Sequence, residues 1–198
     1  MNLTGENSNS ASVPRGVGDA VGVSEPNWYI ALVNHNTEKA TSEKLDRLGY
    51  ENYVAIQQEI KVWRNGKRAR IDRVVIPCMV FIRCTEKERR EVVKLPFIFR
   101  FMTNKAGHVE NSLNKPVAVI PDTQMAKLRF MLGNSDTPVS FTNNFHKGEK
   151  VRVVRGPLRT LEGEIISNPD GGKELVINFG LLGNARLLID PVNVERIE

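Results

Sequence analysis

Only two cysteines and three histidines stand among the 198 residues, which leaves little for a disulfide framework or a metal cage. Cys78 and Cys84 are six positions apart in a run with strand character. At about 3.3 Å per residue that sets them roughly 20 Å apart, beyond disulfide reach. His35, His108 and His146 have no ligand spacing with either cysteine, so no metal is expected. No stretch approaches the roughly 20 apolar residues of a membrane span, and the first residues lack a basic segment followed by an apolar one. No membrane partner and a reducing, cytoplasmic setting are therefore expected. A phosphate-cradling loop is missing too, since Gly156-Pro157-Leu158 has neither the lysine nor the following helix. No nucleophile, base and orienting group fall together, so the expectation is a non-enzymatic chain that needs no cofactor.

What is present is basic charge, unevenly spread. Residues 28–132 hold 19 lysines and arginines against 11 acids, whereas residues 146–198 balance at 8 against 8. The surplus belongs to one part of the chain, where an unpaired positive surface suits an anionic partner such as nucleic acid and ordinary solubility charge is the alternative reading. The densest part is Lys61 to Arg73, with Lys61, Arg64, Lys67, Arg68, Arg70 and Arg73 against Asp72 alone. Neutralising phosphates and releasing counterions would make such an arm an electrostatic contact for nucleic acid, with solvated surface charge as the competing reading. Lys39, Arg47 and His35 near the first helix are weaker candidates.

The most apolar run, Val74 to Arg83, reads as a strand buried on both faces. Pro77 cannot donate to a ladder and belongs at its start or at a bulge, which leaves Cys78 to Arg83 as the central strand. Met79, Phe81 and Arg83 then share one side, and Cys78, Val80 and Ile82 the other. Before it, Met1 to Asn27 has no periodicity and reads as a disordered lead-in. Trp28 to Val33 is a compact strand. Asn36 or Thr37 caps a helix that Gly49 ends, with Thr37, Thr41, Leu45 and Leu48 as its stripe. Tyr53 to Ile56 extends through Ile60 to Trp63 as one strand. Asn65-Gly66 then turns a hairpin back along Arg68 to Arg73, a turn expected to need positive φ at both central residues.

After the central strand, Glu86 to Lys94 is a short helix with Val92, Val93 and Leu95 buried. Phe97 to Met102 is a strand that turns near Ala106-Gly107, and Pro116 to Ile120 is a short extended piece. Pro121 opens a last helix with Met125, Leu128, Met131 and Leu132 on its apolar side. The expected order is β-α-β-β-β-α-β-β-α, an α+β sandwich over residues 28–132. Residues 133–145 read as a linker. Val151–Val154, Glu164–Ile166, Leu175–Phe179, Arg186–Ile189 and Val194–Ile197, separated by Gly, Pro and Asn turns, give residues 146–198 the pattern of a small β-barrel.

Two stretches carry a resemblance. Gly148 to Ile165, with the turn Gly156-Pro157 and Gly163 where the chain bends into the next strand, resembles a KOW motif, Leu158 and Leu161 standing where phenylalanine is usual. Trp28-Tyr29, the helix after it and Ile76-Pro77-Cys78-Met79-Val80-Phe81-Ile82-Arg83 resemble the N-terminal domain of NusG-like transcription elongation factors. The family pattern there is phenylalanine-proline-glycine-tyrosine; only Pro77 keeps it, and Ile76, Cys78 and Met79 depart. Trp63 to Lys67, Arg73 to Pro77 and Lys94 to Ile98 are most similar to the UpxY branch, the antiterminators of capsular polysaccharide operons. The resemblance implies a sheet with packed helices (the NGN type) followed by an SH3-like KOW barrel.

It also implies partners. In such proteins an apolar cleft of the N-terminal domain takes two clamp helices of the largest RNA polymerase subunit, and Trp28, Tyr29, Ile76, Pro77, Met79 and Phe81 are the matching positions, with packing of the domain's own core as the competing reading since alternation sends only one face outward. The KOW unit recruits ribosomal protein S10 or the termination factor Rho, for which Leu158 and Leu161 are the candidates, a buried core role being the alternative. The implied function is operon-specific antitermination and elongation. The rivals are a general NusG and a KOW-type protein that binds RNA or the ribosome.

Overall fold

A computed structural model describes residues 25–104, 116–142, 148–168 and 170–197. The run is β1 (Asn27–Leu32), α1 (Glu38–Arg47), β2 (Glu51–Tyr53), β3 (Ile56–Val62), β4 (Arg68–Val74), β5 (Met79–Cys84) and α2 (Glu86–Val92). It continues through β6 (Arg100–Phe101), β7 (Val119–Ile120), α3 (Asp122–Asn134) and β8 (Ser140–Thr142). The last five strands are β9 (Glu149–Val153), β10 (Glu162–Ser167), β11 (Lys173–Asn178), β12 (Asn184–Leu188) and β13 (Val194–Arg196). The architecture is mixed α and β, as the apolar pattern predicts. The lead-in up to residue 24, His108, His146 and the turn near Ala106-Gly107 lie outside the described residues.

The first sheet runs β2-β5-β1-β6, with β7 also on β1. β1 and β5 are antiparallel with Ile30 opposite Phe81 and Tyr29 opposite Ile82, so alternate residues divide the sheet into two faces. Trp28, Ile30 and Phe81 pack with Met125, Leu128, Met131 and Leu132 of α3. Tyr29, Ala31, Val80 and Ile82 pack with Leu45 of α1, Val92 of α2, and Ile98 and Phe101. Both faces are therefore covered by helices. α2 begins with a reciprocal cap, in which Glu88 N–H donates to Thr85 Oγ1 and Thr85 N–H donates to the Glu88 carboxylate.

The expected long strand from Tyr53 to Trp63 is split. β2 pairs with β5 in the main sheet, whereas β3 leaves it to pair with β4 from Ile56↔Val74 to Val62↔Arg68. Ala55, fully buried at the break, accepts from Val75 N–H and pins the root of the arm. At its tip only Gly66 has positive φ, at 78°. Gly66 N–H donates to Trp63 O and Trp63 N–H to Lys67 O, a three-residue loop rather than the two-residue turn expected of Asn-Gly. Cys78 is not in the central strand: it sits in the preceding turn at φ 62°. The expected strand from Phe97 shrinks to two residues and leaves Phe99 74% exposed. Val93 is exposed rather than buried with Val92.

The C-terminal sheet is antiparallel in the order β13-β9-β10-β11-β12-β8. Each expected strand is present within a residue or two, and the segment expected as a plain linker adds a sixth, β8, paired with β12. Gly163 is not at a bend. It lies inside β10, where an added Cβ would run into Val176 O, so glycine is required by the close approach of two backbones. Val151, Val153, Leu175, Ile177, Phe179, Ala185 and Leu187 form this unit's core, which continues through α3 into the Trp28 face of the first sheet.

Candidate functional site

Among the described residues the β3–β4 arm pairs with no other strand, and it carries a dense run of exposed basic side chains. Lys61, Arg64, Lys67, Arg68 and Arg70 are exposed, and none is in an ion pair among the described residues. Register explains their arrangement. Opposite residues of an antiparallel pair share a face, so Ile60 with Arg70 and Val62 with Arg68 put two guanidinium groups beside two exposed apolar side chains. Trp63 is 40% exposed at the tip, with Lys61 Nζ 5.7 Å from its ring centroid. Basic groups interleaved with apolar and aromatic ones suit a backbone of phosphates and stacked bases. Beside the arm, a groove of about 790 Å³ runs between Gln57–Val62 and Ser135–Pro138.

Arg73, the sixth expected basic contact, has another role. Its Nε donates to Glu59 at 2.8 Å, and one terminal nitrogen donates to Gln57 Oε1 at 3.0 Å and Val139 O at 2.9 Å. It braces the arm against the segment leading to the second unit. Lys39 is similarly held by Asp72, through its main-chain oxygen at 2.9 Å.

The six positions implied for polymerase do not form one exposed cleft. Trp28, Ile76 and Phe81 are at most 5% exposed and sit in the core shared with α3. Tyr29, 4% exposed, faces the other side of the sheet, edge-on to Phe101 at 6.0 Å and beneath the Arg89 guanidinium at 5.8 Å. The reason is the strand period: side chains alternate, and each face has its own helical cover. Pro77 is exposed and Met79 half-buried, so these two alone among the six reach the surface to any extent. Leu158 and Leu161 are likewise buried, at 8% and 5%, because they belong to the core of the C-terminal unit.

Two residues that the sequence did not single out organise this region. Arg129 lies over Trp28 at 4.6 Å and over Tyr53 at 4.9 Å, a cation on two rings that closes the open end of the sheet face. Gln57, 3% exposed, spends its whole amide on the segment after α3 and on Arg73. Neither has a motif around it; Gln57 looks like any polar strand residue until its burial is known. Across the two units, Lys127 Nζ donates to Glu162 O at 3.4 Å and lies 5.9 Å from the Phe179 ring centroid. Burial holds its ammonium below the ordinary lysine range, opposed by the nearby Glu162 carboxylate.

A further constellation was not visible from sequence spacing. Cys78 Sγ lies 3.8 Å from His35 Nδ1, and the Glu38 carboxylate is within the same small volume. Cys84, by contrast, is buried, and desolvation pushes its thiol up to about 12.

Residues 26–129 match the family model described as transcription termination factor NusG. That is just over half of the chain, and the chain belongs to the NusG family of transcription factors. Among solved structures, similarity extends to Thermotoga maritima NusG, in a study of its domain interaction, at 16% identity and a TM-score of 0.48. The match covers 88% of this chain and 98% of that one. An MjSpt4:Spt5 complex is similar at 12% identity and a TM-score of 0.27, over 86% of this chain and 97% of that one. No curated protein sequence matches. Among the described residues no helix is long and apolar enough to cross a membrane.

Proposed function

We propose that the chain binds transcribing RNA polymerase through its N-terminal unit, grips transcription-bubble DNA or nascent RNA with the β3–β4 arm, and so suppresses pausing or termination. The observation that carries this reading is the arm itself: five exposed basic side chains, in no ion pair among the described residues, beside Ile60, Val62 and Trp63 and projecting from a domain of the NusG family. The polymerase contact uses Pro77 and Met79 at the mouth of the turn before β5, the former exposed and the latter flexible enough to adapt to a partner helix. Action is by preferential binding to the elongating state, not by chemistry on a substrate.

The similarity of Trp63–Lys67, Arg73–Pro77 and Lys94–Ile98 to the UpxY branch supports a specialised role at one operon, a capsular polysaccharide locus. The C-terminal unit, a KOW domain on this reading, recruits a second factor such as ribosomal protein S10 or Rho. Leu158 and Leu161 act there by holding the fold, and the partner meets the exposed strand surface. Transcription in vitro with purified polymerase, on the chain's own operon leader and on an unrelated template, tests the proposal. Read-through is expected to rise on the leader and not on the other template. Equal stimulation of both would favour a general NusG, and no effect on either would remove the function.

A further inference from the structure

We propose that His35, Glu38 and Cys78 form a binding site for a borderline-soft divalent cation, zinc foremost. His35, in the loop after β1, and Glu38, the first residue of α1, lie on one segment, and Cys78 comes from the distant turn before β5. Their candidate ligand atoms all lie within 4.8 Å of one another. Tetrahedral zinc, at about 2.3 Å to sulfur and about 2.0 Å to nitrogen, sets those two atoms about 3.6 Å apart. Cys78 Sγ and His35 Nδ1 stand at 3.8 Å, close to the separation that those two ligands of one ion require.

Two features point to a built site. Cys78 adopts φ 62°, a left-handed conformation that costs a non-glycine residue of order 1 kcal/mol or more, and this conformation holds the thiol in the cluster. Glu38 is only 3% exposed, a costly place for a carboxylate, and its Oε1 accepts the Cys78 N–H at 2.7 Å. The acid therefore fixes the orientation of the very turn that carries the sulfur. A thiolate, an imidazole and a carboxylate are a donor set that favours zinc over calcium or magnesium. His35 is exposed, which leaves an entry path and a fourth position for water or a group from a partner. Bound metal would tie the loop after β1 to the turn that bears Pro77 and Met79.

The test uses the untagged full chain, titrated with zinc by calorimetry and with cobalt by absorption. Three variants accompany it. Cys78→Gly removes the sulfur while relieving the positive φ, and so keeps the fold; His35→Ala alters an exposed side chain; Glu38→Gln keeps an acceptor for Cys78 N–H but removes the anionic ligand. The expected result is one metal per chain and a thiolate-to-cobalt charge-transfer band. Cys78→Gly should abolish the band, and affinity should fall at least about tenfold in each variant. Failure to take up stoichiometric zinc, or uptake unchanged in Cys78→Gly and His35→Ala, would overturn the site. Neither result bears on polymerase binding, which is read in a separate assay.

Discussion

Gln57 Oε1 accepts the Val139 N–H at 2.9 Å while its Nε2 donates to Thr137 O at 2.8 Å, a buried amide pairing the root of the basic arm with the segment that enters the second unit. Because Val139 is fully buried, its N–H has no water to fall back on. Gln57→Ala is expected to destabilise the chain by about 1–3 kcal/mol, the cost of orphaning buried polar groups. A urea midpoint unchanged from wild type would show the junction to be dispensable.

The arginines of the arm should separate into two kinds. Arg68→Ala and Arg70→Ala are expected to leave the melting temperature within about a degree or two, since both side chains are exposed. Each should also lower the salt slope of nucleic-acid binding by about 1 for every phosphate it no longer neutralises. Arg73→Ala should instead lower stability, because Gln57, Glu59 and Val139 O would be deprived of their common donor. Salt titrations of DNA affinity alongside thermal melts read the two effects apart.

The buried and surface members of the implied polymerase set should part in the same way. Phe81→Ala removes a fully buried ring and is expected to cost about 3–5 kcal/mol. Tyr29→Ala should destabilise too, since the ring packs on Phe101 and under Arg89. Met79→Asp is expected to leave the domain folded and weaken polymerase capture. Circular dichroism melts paired with pull-down of the folded variants check this, and a Met79→Asp chain captured as well as wild type would contradict the assigned contact.

Most of the scaffold was legible in the sequence because its signals are local. Apolar periodicity in Met125, Leu128, Met131 and Leu132 marks α3, and all four are buried. Strand runs between turn residues place β9 to β13 to within a residue or two. What stayed hidden depends on partners distant in sequence. No local pattern says that Tyr53 and Ile56 belong to different sheets, that Gly163 is squeezed by Val176 O, or that Arg73 points inward to Val139, 66 residues away. Which of the implied cleft positions are buried stayed hidden for the same reason. A strand such as β5 is equally apolar whether its face meets a partner protein or α3, and only the cover of α3 and Arg129 on Trp28 decides the matter. The metal-ligand cluster was invisible because 43 residues separate His35 from Cys78.

At the start of α2, hydrogen bonds from Arg89, joined by one from Arg90, hold the Glu86 carboxyl down to about 2. The folded value lies below the unfolded one, so this contribution is complete above about pH 4.5 and is lost as the pH falls toward 2. Glu86 is partly exposed, and solvent screening keeps the effect modest. The stability gap between wild type and Glu86→Gln is expected to be constant near neutrality and to close as acid is added. Urea midpoints between pH 7 and pH 2 measure it, and a gap that widened on acidification would contradict the pairing.

The most direct measurement is the affinity of the full chain for an assembled polymerase elongation complex, carried out with wild type, Met79→Asp and the Arg68→Ala, Arg70→Ala double variant across a range of salt. Saturable binding is expected, weakened by Met79→Asp at every salt and stripped of much of its salt dependence in the double variant. Binding that is absent, or that ignores both surfaces, would contradict a factor that joins polymerase and nucleic acid through this domain.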